Sequence, residues 1–242
     1  MKVLSIDVGL VNCSFCLLES ERSDLGPSLQ CLHSGLADGS ILLRDLQLVA
    51  FGKKATAFQT VCENVVQFAT TTLAQSGVLE TVDLCVIEMQ MTARMKAISS
   101  ALYAAIRCLR PSCTVLFQSA CAKLSFGDLC SFLEEEDSPP PPAVQGSSYS
   151  QRKRLAVLLA KRLLLQPSTV SEEIKKLFVT SKKKDDLADA LLHALAALCT
   201  KRGPSSTSRA AASSAPKKRA ATASSTAVPK KRVRAAPGPA SR

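Results

Sequence analysis

Two rhythms of hydrophobic and polar positions run along the chain. Lys2–Asp7 and Cys13–Leu18 are short apolar runs with Gly9 between them. They predict two strands joined by a tight turn. A third strand is predicted near Leu29–Ser34, bounded by Gly26-Pro27 and Gly35, so the chain opens as an antiparallel meander. Residues 36–52 follow neither rhythm. From Thr56 to Ala74 the positions Phe58, Val61, Val65, Phe68 and Leu73 recur at helical spacing, and Gly77 lies just beyond. Val82–Glu88 is a continuous apolar run, as expected of a strand buried on both faces. Met95, Ile98, Leu102 and Ile106 predict a helix over Ala93–Leu109, which Pro111 stops. Thr114–Phe117 predicts another buried strand. Gln151–Leu165 returns to helix, and a last helix from Lys183 to Leu198 is apolar almost all round, the pattern of a buried helix. Strands followed by helix, strand, helix and strand predict an α/β layer fold with a mixed sheet.

Two segments break the pattern. Residues 134–150 pass from Glu and Asp to four consecutive prolines and then Gly, Ser and Tyr. They predict a surface loop, stiff at the prolines. From Lys201 onward only Ala, Ser, Pro, Lys and Arg dominate, with no apolar period, so 201–242 is expected to be a disordered tail. Residues 1–200 are left as one folded domain.

Charge sharpens this division. The 242 residues carry a net charge of +11, yet residues 1–200 hold 20 basic and 20 acidic side chains. Residues 201–242 hold the other 11 basic residues and no acid. A uniformly basic, histone-like domain is excluded; a neutral body with a cationic appendage is implied. The tail repeats a basic block, Pro216-Lys217-Lys218-Arg219 and Pro229-Lys230-Lys231-Arg232, able to bind phosphate or an import receptor. Aromatic residues are 4% and Trp is absent, which disfavours base-stacking platforms. No apolar stretch is long enough for a membrane helix, and Asp7 interrupts the first apolar run too early for a signal peptide. The ten cysteines are scattered without paired spacing, so reduced intracellular thiols are expected. Cys13 and Cys16 form a lone C-x-x-C, but in a strand they point to opposite faces, which argues against a shared metal.

Acidic residues stand where apolar ones belong. Asp7 ends the first strand, Glu88 ends the buried strand, and Asp186 and Asp189 lie three apart near the start of the last helix, on one face. Alone, each reads as a turn residue, an exposed acid or a helix cap. Burying an unpaired carboxylate costs several kcal/mol, roughly. Several in separate apolar elements make sense if they converge on cations. An oxygen-only ligand set with no His or Cys cluster selects Mg²⁺ or Mn²⁺. Two such ions about 3.5–4 Å apart suit hydrolysis of a phosphodiester, one activating water and the other stabilising the leaving oxygen. Gly9 reads either as a hairpin glycine or as room for close approach to Asp7. Lys153 and Arg154 read equally as phosphate contacts or as a solvated basic helix face. His193, one turn beyond Asp189 on the same side, reads as a satisfied core histidine in preference to a supporting partner of the acids, and Asp185, out of phase with the Asp186/Asp189 pair, as solvent-facing.

These stretches resemble a known family. Ile6-Asp7-Val8-Gly9-Leu10-Val11-Asn12 is similar to the first motif of RuvC-type Holliday junction resolvases. Val86-Ile87-Glu88-Met89-Gln90, followed by Arg94, resembles their second motif, and Lys184–Leu191 resembles the last. The wording is nearest the poxvirus and fungal mitochondrial branch. Tyr149-Ser150-Gln151-Arg152-Lys153-Arg154 is similar to a basic segment of that branch, and Lys123 stands where the family often has a lysine. The resemblance spans about residues 1–200. It implies an RNase H-like fold with a mixed five-stranded sheet flanked by helices, a magnesium-dependent nuclease and a homodimer. It places Asp7, Glu88, Asp186 and Asp189 in a metal site for two ions. Lys153, Arg154 or Lys123 would serve as the basic catalytic group. DNA contacts are expected from Arg94, Lys123, Arg152 and Arg154, and from the tail residues Lys217, Lys218, Arg219, Lys230, Lys231 and Arg232.

The function so implied is a structure-selective endonuclease that resolves four-way and other branched DNA during recombination, repair and replication. Two rivals compete. An ATP-using enzyme of the actin and sugar-kinase superfamily would need a Gly-rich phosphate loop, and with 10 glycines in 242 residues none is present. A non-catalytic DNA-packaging protein explains the tail but leaves the carboxylates without a reason. The expected location is intracellular: viral cytoplasmic replication sites on the poxvirus likeness, or the nucleus on the strength of the two basic blocks.

Overall fold

The computed structural model of the chain describes residues 1–22, 25–134 and 149–200. These belong to one unit, Met1–Gly203. Most of the proline-rich loop and the whole 201–242 tail, with Lys217, Lys218, Arg219, Lys230, Lys231 and Arg232, lie outside the described residues.

β1 (Lys2–Val8) and β2 (Asn12–Ser20) form the expected hairpin. Its turn closes through the Gly9 amide, which donates to the Asn12 carbonyl at 2.8 Å. A Cβ on Gly9 would stand 2.5 Å from that carbonyl oxygen, so the turn itself requires glycine. The meander is completed by β3 (Ile41–Ala50), antiparallel to β2. The strand expected near Leu29–Ser34 is instead part of α1 (Leu29–Asp38). Ser28 caps this helix by accepting from the Cys31 amide, and Asp128 accepts from the amides of Leu29 and Gln30. Leu29, Leu32 and Leu36 are all buried at helical spacing. Gly35, taken as a strand boundary, lies inside the helix, where a Cβ would meet the Ile41 side chain at 2.8 Å. The turn glycine is Gly39, with φ of 81°.

The remaining elements follow the expected order. α2 (Phe58–Gln67) continues into a π-helical turn over Phe68–Ala74, and α3 (Val78–Thr81) is a short addition. β4 (Leu84–Glu88), α4 (Ala93–Leu109) and β5 (Thr114–Gln118) follow, but β5, expected to be buried, lies at the sheet edge with Leu116 and Phe117 exposed and only Val115 buried. A 3₁₀ turn over Ala122–Leu124 leads to α5 (Leu129–Glu134). α6 (Tyr149–Leu165), α7 (Glu172–Thr180) and α8 (Lys184–Cys199) complete the described chain. The ends of the expected 134–150 loop are thus helical.

The five strands lie in the order β3-β2-β1-β4-β5, with β1, β4 and β5 parallel and β2 and β3 antiparallel to their neighbours. Alternation along each strand divides the interior in two. Leu4, Ile6 and Val8 of β1, with Cys85 and Ile87 of β4, join α2 and α4 in one core. Val3 and Val86 face the other core, built on α1, α6 and α8. Cys13 and Cys16 are free and buried in these two separate cores, so no ion can join them. No described helix is long and apolar enough to cross a membrane.

Candidate metal centre

The alternation that buries Leu4, Ile6 and Val8 on one face sends Ser5 and Asp7 to the other. On β4 the same rule sends Glu88 to the face of Val86. Ile6 pairs with Ile87 in the parallel register, so the next residues, Asp7 and Glu88, leave the C-terminal ends of adjacent strands on the same side. α8 lies across this face. Near its start the Ser14 hydroxyl of β2 donates to the Asp186 carbonyl at 2.6 Å. Two turns further on, His193 Nδ1 meets Gln118 Oε1 of β5 at 2.8 Å. The helix therefore crosses from β2 to β5, and Asp189, between those two contacts, comes down over β1 and β4.

Asp7, Glu88 and Asp189 each contribute a carboxylate oxygen to a group whose members all lie within 4.8 Å of one another. Glu88 and Asp189 are buried, and Asp7 is partly so. Lys123, on the 3₁₀ turn after β5, places Nζ 2.5 Å from Asp189 Oδ2 and 3.6 Å from Glu88 Oε1. Gln90 donates to Asp7 Oδ1 at 3.5 Å. One Asp189 oxygen, Oδ1, is buried with no hydrogen-bond partner.

The electrostatics reflect this crowding. Burial and the neighbouring Glu88 and Asp189 push the Asp7 carboxyl well above the usual carboxylate range. Burial also raises Asp189, although Lys123 opposes it. Burial would raise Glu88 as well, but the nearby His193 ring, the contact with Asp7 and the charge of Lys123 outweigh it and hold Glu88 low. Lys123 is raised: burial opposes its charge, and Asp189 and Glu88 restore it. One ammonium faces three acids, and a buried site with surplus negative charge is costly unless a cation joins it. Oxygen-only donors, an orphaned carboxylate oxygen and uncompensated charge all fit a hard divalent cation.

Other expected residues lie elsewhere. Asp186 is outside the three-acid group; its carboxyl is raised by burial and by Asp185, and Asn12 hydrogen-bonds to it. Lys153 is paired with Asp185 at 2.5 Å, well away from solvent-facing isolation for either partner. The expectation that Asp185 faces solvent is corrected: α6 packs beside α8 and brings Lys153 to it. Of the two lysines, Lys123, with 14% side-chain exposure, touches the acidic group, and Lys153, with 34%, holds the start of α8. Arg152 and Arg154 are exposed at the start of α6. Arg94 is exposed at the start of α4, its guanidinium 5.9 Å from the Phe58 ring. His193 is buried as expected of a core histidine, but its Nε2 lies 3.6 Å from Glu88 Oε1. The signal for that contact was its spacing, one helical turn beyond Asp189. Gln90 lies in the stretch likened to the second motif, which gives it no role; Gln118 carried no signal in sequence.

No protein-family model matches the chain, and no curated protein matches it. Solved structures do. The chain is similar to the yeast mitochondrial Holliday junction resolvase Ydc2, at 17% identity over 81% of this chain and 78% of that one, with a TM-score of 0.51. Fowlpox virus resolvase, solved with substrate Holliday junction DNA, aligns at 14% identity over 82% of this chain and 97% of that one, with a TM-score of 0.48. Thermus thermophilus RuvC, solved with a Holliday junction substrate, aligns at 12% identity over 82% and 94%, with a TM-score of 0.46. The likeness to the yeast mitochondrial protein shows the fold: an RNase H-like mixed five-stranded sheet flanked by helices.

Proposed function

We propose that this chain is a RuvC-type Holliday junction resolvase, an endonuclease that cuts four-way and other branched DNA with the help of divalent cations. The observation that carries the reading is the convergence of Asp7, Glu88 and Asp189 from three elements that are distant in sequence. An α/β fold gains no stability from massing carboxylates at the ends of its central strands. A phosphodiesterase needs them there.

Asp7, Glu88 and Asp189 would hold the cation, and Asp186 is the remaining acid of the expected set. Mg²⁺, with Mn²⁺ as substitute and two ions per site, would activate water and stabilise the leaving oxygen. This chain's own groups do the positioning. Asp7 and Glu88 sit on paired strands whose backbone hydrogen bonds fix their separation. Asp189 is carried by a helix buried from Leu187 to Leu198, so it too is held rigidly. Lys123 balances part of the negative charge and stands ready for a phosphate oxygen entering the cluster. Lys153 supports the site through Asp185.

Branched DNA would be read by shape and by phosphate positions more than by base edges. Half of the 20 basic residues before Lys201 fall between Arg152 and Lys184, the stretch containing α6 and α7. Arg94, Arg152 and Arg154 would contact the backbone. A C₂ homodimer would match the near two-fold symmetry of a four-way junction and direct paired nicks to opposing strands. The 201–242 tail would add salt-sensitive, sequence-independent affinity and could engage an import receptor.

The test is incubation of the purified full chain with an end-labelled four-way junction, a linear duplex of the same sequence and ATP. Symmetric nicking of the junction that needs Mg²⁺ and stops with chelator supports the reading. Equal cutting of linear duplex, ATP hydrolysis without nicking, or junction binding without any cleavage would each overturn it.

A further inference from the structure

His193 stands 1% exposed in α8, whose residues from Leu187 to Leu198 are all buried. A histidine buried for packing alone is satisfied by hydrogen bonds from both ring nitrogens. His193 is not: Nδ1 meets Gln118 Oε1 at 2.8 Å, but Nε2 is buried with no hydrogen-bond partner. What Nε2 faces is Glu88 Oε1, 3.6 Å away. The ring does not belong to the three-acid group itself, whose members are Asp7, Glu88 and Asp189. It stands behind one of them.

From this geometry we infer that His193 is a positioning residue for Glu88, and that Gln118 anchors its ring. An ionised carboxylate only accepts, so Nε2 facing it must carry a proton. The Gln118 amide offers both an acceptor and a donor, so it can pair with Nδ1 in either protonation state of that nitrogen. The chain Gln118–His193–Glu88 thus runs from β5 through α8 to β4. It backs one Glu88 oxygen, Oε1. Lys123 approaches the same Oε1, also at 3.6 Å, so this oxygen is flanked by two donors from the protein. The pattern is that of an outer partner set beside a metal-binding carboxylate, within reach to orient it. The sequence contains the pair Asp189/His193 at a spacing of four, so one face of α8 delivers both a ligand and the support of another ligand.

The inference rests on the cluster's binding a divalent cation, and the experiment separates the two. Mn²⁺ affinity of the full chain is measured by titration calorimetry, beside thermal unfolding of the metal-free protein. The variants are His193→Leu, His193→Gln and Gln118→Leu. His193→Leu is expected to weaken Mn²⁺ binding by about 10–100-fold, the usual effect of removing such a partner. Gln118→Leu should weaken it less, and His193→Gln, which keeps a side-chain N–H donor, should recover most of the loss. The Mg²⁺ concentration for half-maximal cleavage should rise in the same order. A merely structural histidine would lower the unfolding temperature in both His193 variants and leave Mn²⁺ affinity alike in every folded one; that outcome overturns the inference. If His193→Leu does not fold, His193→Gln and Gln118→Leu decide the matter: unchanged Mn²⁺ affinity in Gln118→Leu refutes the anchor. A wild-type protein that binds no Mn²⁺ removes the metal reading itself, and this inference with it.

Discussion

The two faces of the central sheet are built from the same strands under the same alternation, yet they differ in kind. Towards α2 and α4 the core is apolar along the full length of each strand: Leu4, Ile6 and Val8 on β1, Cys85 and Ile87 on β4. Phe15, Phe51 and Phe68 pack there with ring centroids 5.6–5.7 Å apart. Towards α8 the same strands begin apolar, at Val3 and Val86, and end in Asp7 and Glu88. Buried Glu88, Asp189 and His193 all lie on this second face. One face is spent on stability; the other gives up stability at one end to hold charge. Because the strands are shared, each can be altered by a substitution one residue apart on β1.

Asp7→Asn and Ile6→Ala provide that pair. Asp7→Asn should lower junction cleavage by about a thousandfold or more, since a cation site supplies several kcal/mol at the transition state. Junction binding should persist. Single-turnover cleavage and a gel-shift titration check this, and near wild-type cutting would refute the site. Ile6→Ala opens a cavity in the apolar face and should destabilise the fold by about 2–5 kcal/mol in urea unfolding. Its Mn²⁺ affinity should stay unchanged at temperatures where it is folded. If Ile6→Ala altered metal binding as strongly as Asp7→Asn, the two faces would not be separable.

Lys123→Gln should reduce cleavage by about a hundredfold, the scale of losing one preorganised donor. Lys153→Gln, whose partner is Asp185, should reduce it less. The reverse order would place the essential lysine on α6.

A smaller effect follows from the raised carboxyl of Asp7. Its folded-state affinity for a proton exceeds that of the unfolded chain. The stability linked to this group is therefore present at low pH and is lost as pH rises from the ordinary carboxylate range through the raised value. Metal-free Asp7→Asn should be more stable than wild type at neutral pH, by about 2 °C or more in unfolding temperature, equivalent to roughly 1 kcal/mol. The advantage should vanish in acid and in saturating Mg²⁺. A neutral-pH loss of stability would contradict the view that this face sacrifices stability for charge.

The mildest perturbation leaves both faces intact. Removal of residues 201–242 should weaken binding to any DNA and flatten its salt dependence, because 11 basic residues are lost. The rate of the bound complex should be unaltered. Lost chemistry in that truncation would place part of the site in the tail.

Much of the molecule was legible in the chain itself. Strand hydrophobicity and the 3.6-residue period located β1, β2, β4, β5, α2, α4, α6 and α8, because burial imposes its rhythm on local sequence. The acids at Asp7, Glu88 and Asp189 were conspicuous because they interrupt that rhythm. α1 was misread as a strand, since Gly35 looks like a boundary when its partner Ile41 is not yet in view. Alternation on paired strands even set the face on which Asp7 and Glu88 lie. Only the packing of α8 across the sheet decided the rest. It separated Asp189 from Asp186, chose Lys123 over Lys153 as the neighbour of the acids, and turned a core histidine toward Glu88. Such choices depend on where a helix crosses strands, to within a few ångströms. Periodicity along a chain says which side of an element is buried, but carries no information about what lies opposite it.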